Sequence, residues 1–156
     1  MSVSQNLKEI EERICAACAR SGRRREDVTL ISVSKTKPVS MIQEAMAQGI
    51  ADFGENKPQE LRDKYDVLPK DLRWHMIGNL QRNKVKYVVG RAVMIHSVGS
   101  LELAREIEKE AGKKLLRMPC LVEVNMAGEA SKGGIAPQDA EDFVRELALL
   151  EHIQVR

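Results

Sequence analysis

At 156 residues the chain is long enough for one domain with a real core and too short for two comfortable ones. Charged residues at 31%, hydrophobic residues at 43% and a net charge of +2 describe an ordinary soluble globular protein with no polyanion-seeking surface. Aromatics at 3% leave few stacking platforms for single-stranded nucleic acid, and no apolar stretch reaches the length of a membrane span. The N-terminus lacks an apolar signal-peptide core. Cys15, Cys18 and Cys120 are too few and too odd in number for a disulfide framework, so a reducing, cytoplasmic setting is expected.

Leu7, Ile10, Ile14 and Ala17 recur at helical spacing and Gly22 ends that helix. Cys15-Ala-Ala-Cys18 falls inside it, away from the helix N-terminus a redox pair needs and without the further ligands of a zinc site. Arg23-Arg24-Arg25, followed at once by Glu26 and Asp27, reads as a solvated loop. Thr29 to Ser34 is a buried parallel strand, rich in β-branched residues. Ser40 can cap a helix with Met41, Ile42, Ala45 and Met46 inward, ended by Gly49. Ala51 to Gly54 is a short strand, and a helix runs from Pro58 to Val67. Arg73 to Ile77 is the third strand, Gln81 to Val89 a helix closed by Gly90, and Ala92 to Val98 the fourth strand. Ser100 caps a helix carrying Leu101, Ala104, Ile107 and Ala111, ended by Gly112. Cys120 to Val124 is the fifth strand. Pro137 to Leu150 is a helix with Ala140, Phe143, Val144 and Leu147 inward, and Ile153 to Val155 begins a sixth strand.

Alternating strands and helices imply right-handed crossovers and a parallel sheet. No Gly-x-Gly-x-x-Gly follows the first strand, so the dinucleotide-binding arrangement lacks its fingerprint. The remaining architecture is a parallel (β/α)8 barrel of the TIM type, which typically needs about 250 residues. Residues 1–156 are therefore expected to form a single barrel domain of about five and a half βα units, lacking strands seven and eight. No Pro/Gly/Ser-rich linker or internal repeat divides it.

Val33-Ser34-Lys35-Thr36-Lys37-Pro38 is the most informative segment. On a strand Ile31, Val33 and Lys35 share a face, so an apolar inner row ends in an amine. A partly desolvated lysine loses its proton more readily and can condense with a carbonyl to form a Schiff base. Lys37 competes for the role, but Pro38 biases it outside the strand. The alternative is that Lys35 is simply a solvated strand-end lysine. In a barrel the C-terminal strand ends form the active face. The other strands end in Gly54-Glu55-Asn56, Trp74-His75-Met76-Ile77-Gly78-Asn79, His96-Ser97 and Glu123-Val124-Asn125. Each group has a plainer reading: His75 as a hydrogen-bonded core histidine, Glu55 as a carboxylate matching a helix dipole. Ser131-Lys132-Gly133-Gly134 is either an anion-binding turn or a flexible loop.

V-S-K-T-K-P, F-G-E-N, W-H-M-I-G-N-L-Q-R-N-K, H-S-V and V-N-M-A-G-E-A-S-K-G-G-I occur in the order and spacing of one family. From about Leu7 to Arg156 the chain resembles the pyridoxal phosphate homeostasis proteins, the YggS-like group, whose fold is similar to the barrel domain of alanine racemase. The resemblance implies a cytoplasmic, non-catalytic protein that binds pyridoxal 5′-phosphate and helps to control the supply of this reactive aldehyde. Lys35 matches the lysine that carries the cofactor as a Schiff base, and Asn56, His75 and Ser97 match positions lining its pocket. Family members complete strands six to eight, and their last loops hold the cofactor phosphate. The resemblance implies a monomer in the full-length family and no nucleic-acid or membrane partner. With the closing strands missing, the first strand and the last segment are expected to lack neighbours, leaving the chain prone to association. A racemase would need an acid/base group across the cofactor, and Tyr65 and Tyr87 both fall in helices. A cofactor-free Schiff-base lyase fits Lys35 but leaves the other motifs unexplained.

Overall fold

The protein is described by a computed structural model covering residues 2–156. The first helix, α1 (Val3–Ser21), starts earlier than its apolar period suggests, because Ser2 and Gln5 form a reciprocal capping box. Gly22, at φ 68°, closes it in the left-handed conformation that glycine adopts without strain. The chain then alternates β1 (Ser32–Val33), α2 (Val39–Ala47), β2 (Asp52–Glu55), α3 (Pro58–Val67), β3 (Arg73–Met76) and α4 (Val85–Val88). It continues through β4 (Ala92–Val98), α5 (Leu101–Lys113), β5 (Met118–Val122), α6 (Ala140–Leu147) and β6 (Ile153–Val155). All six strands are parallel and lie in sequence order, β1 to β6, in one sheet. This is the order of a (β/α)8 barrel, open between β1 and β6.

Register assigns each side chain to a face. Ser32 pairs with Phe53 and Phe53 with Trp74, while Val33 pairs with Gly54 and Gly54 with His75. Phe53, Trp74, Met76, Ile95 and Cys120 are fully buried on the helix side, packed with Ile42, Leu61, Val85, Ala104 and Ile107. Burial pushes the Cys120 thiol up to about 12. The inner face carries Ile31, Val33, Gly54, His75 and Ile77. Among the described residues no helix is long and apolar enough to cross a membrane.

Several expected boundaries move. Thr29 to Ile31 lie outside the ladder, because β1 is an edge with β2 as its one neighbour. Ser40 sits inside α2, whose cap is Pro38, a residue with no N–H to leave unsatisfied. The second strand runs one residue further than expected, to Glu55. The third ends at Met76 rather than Ile77. Gln81 to Val89 divides into a 3-10 turn, Arg82–Lys84, and the single turn of α4. Gly112 stays within α5, which stops at Lys113 before Leu115 adopts φ 53°. The fifth strand spans Met118–Val122, two residues earlier than expected, because Met118 pairs with Ile153. The last helix is shorter than Pro137 to Leu150, and Val144 is exposed while Phe143 and Leu147 face the core.

Gly78, just beyond β3, packs against the backbone of Asn56: a Cβ at this position would lie 2.5 Å from the Asn56 carbonyl oxygen. Backbone cannot swing aside as a side-chain end can. Gly78→Ala should therefore destabilise the protein by about 1–3 kcal/mol, the usual cost of overpacking. An unchanged urea midpoint would show that the two strand ends separate freely.

Candidate functional site

Lys35 lies in the turn that follows β1 and is exposed. The expected partial desolvation is thus not supplied by its neighbours; what the fold supplies is a fixed platform. Thr36 beside it adopts φ 61°, unusual for a β-branched residue, and donates its N–H to Glu60 Oε1 at 2.7 Å. The ammonium of Lys64, on α3, donates to the Ser34 carbonyl at 2.7 Å, to Glu55 Oε1 at 2.7 Å and to Glu60 Oε1 at 2.8 Å. Ser34 Oγ also donates to Glu55 Oε1, at 2.6 Å. Both sides of Lys35 are therefore tied to α3 and β2. Lys37 lines a recess with Val3, Val33, Met41 and Phe53 at the β1 edge.

Glu55 corrects one expectation. It is the last residue of β2, fully buried and paired with Lys64, and not a carboxylate at the start of α3. Lys64 was missed because a lysine in a charged helix reads as solvated. Its position three residues after buried Leu61, on that residue's face, is the available signal. Burial would push the Glu60 carboxyl up, but the Lys64 ammonium and the Thr36 N–H outweigh this and hold it below its ordinary value.

The other expected site residues are near one another but differently employed. Asn56 is half-buried at the end of β2. Ser97 is buried and donates its hydroxyl to the Gly78 carbonyl at 2.6 Å, tying β4 to the end of β3. It lines an open recess of about 420 Å³ with Asn79, Arg82, Ser100, Glu123 and Gly134. His75 is buried one layer below the strand ends, with Nε2 3.0 Å from Asp52 Oδ1 and Nδ1 2.9 Å from His96 Nε2. Arg73 closes the lower end, its Nε donating to Asp52 Oδ1 at 2.9 Å and its Nη2 to Asp52 Oδ2. Burial alone would raise the Asp52 carboxyl, yet the hydrogen bonds and charges of Arg73 and His75 hold it below its ordinary value. Desolvation, with His75 beside it, lowers the His96 imidazole. Asp52 was not singled out from sequence and His96 entered only as part of a strand end, although their parity with His75 on neighbouring strands places all three on one face.

Residues 5–156 match the family described as alanine racemase, N-terminal domain. A pyridoxal phosphate homeostasis protein of Aquifex aeolicus is 40% identical over 99% of this chain and 68% of that protein. The chain belongs to the pyridoxal phosphate homeostasis protein family. The relative of that name from Escherichia coli K12 is 34% identical over 99% of the chain and 68% of its own length. The structure of PipY from Synechococcus elongatus, with PLP bound, superimposes with a TM-score of 0.76 at 36% identity. That match covers 94% of this chain and 68% of PipY. An alanine racemase of Clostridium difficile shares the fold at a TM-score of 0.70 and 17% identity, over 84% of this chain and 35% of its own. The barrel-type fold expected from strand alternation is thus that of its relatives.

Lys64→Met should cost about 3–5 kcal/mol, because it leaves the Glu55 carboxylate buried without its partner. Lys64→Met combined with Glu55→Leu should recover most of that loss, as read from urea midpoints. Acid should destabilise in a defined window. His96 has a folded pKa below its unfolded one, so its contribution is present above the ordinary histidine range and lost as pH falls through the folded value. Asp52 and Glu60 act in the same sense at lower pH. The wild-type melting temperature should decline from about pH 7 to pH 5, and His96→Gln should flatten that decline.

Proposed function

We propose that this chain binds pyridoxal 5′-phosphate at Lys35 and serves in the cell's handling of the cofactor, without turning over amino acids itself. The observation that carries this reading is an exposed amine on a rigidly clamped turn at the end of an inner-face strand. The family supports it, and so does the similarity to PipY with PLP bound.

The residues present fit the aldehyde end of the group. Lys35 is a primary amine free of hydrogen bonds among the described residues, and the ends of β2 and β4 offer the half-buried Asn56 and His96. When bound, the cofactor supplies an aldehyde that this amine traps reversibly. Lys35 Nζ would hold the group by its aldehyde carbon, the aldehyde oxygen being released as water. The Asn56 side chain borders the ligand. Ser97 shapes the wall through Gly78, and His75 acts from beneath. The phosphate contacts belong to the closing loops that the resemblance implies, outside these residues.

The positions of the tyrosines favour a binding protein over a racemase. Tyr65 lies under the Lys70 ammonium, 4.3 Å from its ring centre, and Tyr87 under the Arg62 guanidinium at 5.0 Å. Both are on the helices and neither reaches the inner face. The free thiols of Cys15, Cys18 and Cys120 suit a reducing compartment.

Pyridoxal 5′-phosphate added to the protein should give a visible absorption band, and borohydride reduction should fix the adduct on Lys35 in a peptide map. An adduct on Lys37 or Lys132 with Lys35 unmodified would sink the assignment. The same preparation should racemise no alanine; multiple turnovers abolished by Lys35→Ala would make the protein an enzyme.

A further inference from the structure

The inner face carries a continuous hydrogen-bonded line through Arg73, Asp52, His75 and His96, drawn from β2, β3 and β4. Proton accounting gives this line a direction. The Arg73 guanidinium can only donate, and the ionised Asp52 carboxylate can only accept. Asp52 Oδ1 receives the Arg73 Nε–H and faces His75 Nε2, so His75 must carry a proton on Nε2. With His75 neutral, Nδ1 is then the acceptor and His96 Nε2, 2.9 Å away, is the donor; a His75 imidazolium would donate there instead and reverse this bond. The proton of His96 is thereby fixed on Nε2, and its Nδ1 keeps a lone pair that meets no partner among the described residues.

Register places His96 on the inner face, on the strand-end side of His75. Val33, Gly54, His75 and Met94 form one inner layer. His96 lies two residues beyond Met94 on β4, so it stands one layer above His75 towards the strand ends, the end of the sheet at which Lys35 follows β1. A core histidine pair would need only to satisfy itself. Here a salt-bridged carboxylate dictates the tautomer of a half-buried imidazole two rings away, an arrangement that orients a working nitrogen in hydrolase triads and metal sites.

We propose that Asp52, acting through His75, fixes His96 in the tautomer whose Nδ1 accepts a hydrogen bond from an N–H or O–H group on the ring of the ligand bound at Lys35. The proposal rests on the cofactor reading above. It makes His96 the ligand-facing residue and Asp52 and His75 positioning residues. It also sets orientation: an imidazole lone pair welcomes a donor edge of the ring and disfavours the phosphate, which presents acceptor oxygens.

Nitrogen-15 long-range correlation spectra of the unmodified protein at about pH 8, above the ordinary histidine value of about 6.5, read the tautomers directly. His152 supplies an internal reference, since its Nδ1 faces Glu108 Oε1 at 2.9 Å and must carry the proton there. His75 and His96 should both show a protonated Nε2 and an unprotonated Nδ1, opposite to His152. Asp52→Asn, which can donate as well as accept, should remove that bias and leave His96 a mixture of tautomers. A wild-type His96 protonated on Nδ1, or averaging between forms, overturns the relay without need of any variant. After reduction of the cofactor onto Lys35, the His96 Nδ1 resonance should shift while that of His152 stays. An unmoved His96 in protein modified at Lys35 overturns the ligand contact alone. If no adduct forms on Lys35, the cofactor reading falls and the contact with it, while the tautomers, read beforehand on unmodified protein, still decide the relay.

Discussion

A single ammonium, that of Lys64, holds the functional end of this sheet in place. Buried at 7% exposure, it cannot be solvated by water, and each of its three N–H groups must find an oxygen. The three acceptors come from the end of β1, the end of β2 and its own helix. Any shift of β1 along β2 would break that set. A one-residue slip would also turn Glu55 from the helix side into the inner face. The left-handed Thr36 survives because its N–H reaches the same Glu60 carboxylate. A structural lysine inside the wall thus determines where the exposed lysine stands.

The two faces of the sheet use charge for different ends. On the helix side, the side that carries Phe53 and Trp74, Lys64 and Glu55 are buried as a pair that serves geometry rather than net stability. On the inner face Arg73, Asp52 and the two histidines occupy layers that an ordinary barrel fills with branched aliphatic side chains. Gly54 leaves the same face without a side chain, and Ile31 and Ile77 close over it. The inner face therefore combines this polar line with the aliphatic Ile31, Val33 and Ile77, while the main apolar core lies between sheet and helices.

Much of this was legible before any coordinates. Strand alternation with helices of the right length pointed to a parallel barrel, and period two put Ile31 and Val33 on the inner face, whereas Lys35 lies in the turn beyond β1. The bounds of α3 and β4 were read correctly because Pro58 starts one and charge and glycine flank the other. What escaped notice were partners set by tertiary pairing. Lys64 and Glu55 are nine residues apart, and each has a plausible solvated role when considered alone. Asp52 opens a strand, where polar residues usually mark a turn, so its contact with His75 becomes visible only once β2 and β3 are in register. Gly112 signalled a helix end that the chain ignores, since the last turn of α5 packs that glycine beside His152.

The sequential strand order has a consequence for how the molecule comes to exist. Every strand hydrogen-bonds to the one made just before it, and none waits for a distant partner. The polar ties follow the same rule: Lys64 reaches back 30 residues to Ser34, and His75 only 23 to Asp52. Loop-closure entropy is therefore met in small instalments, one crossover at a time. As the chain emerges from the ribosome, each βα unit finds its docking edge already formed. The sheet can grow by accretion, with the turn that carries Lys35 locked as soon as α3 has been synthesised.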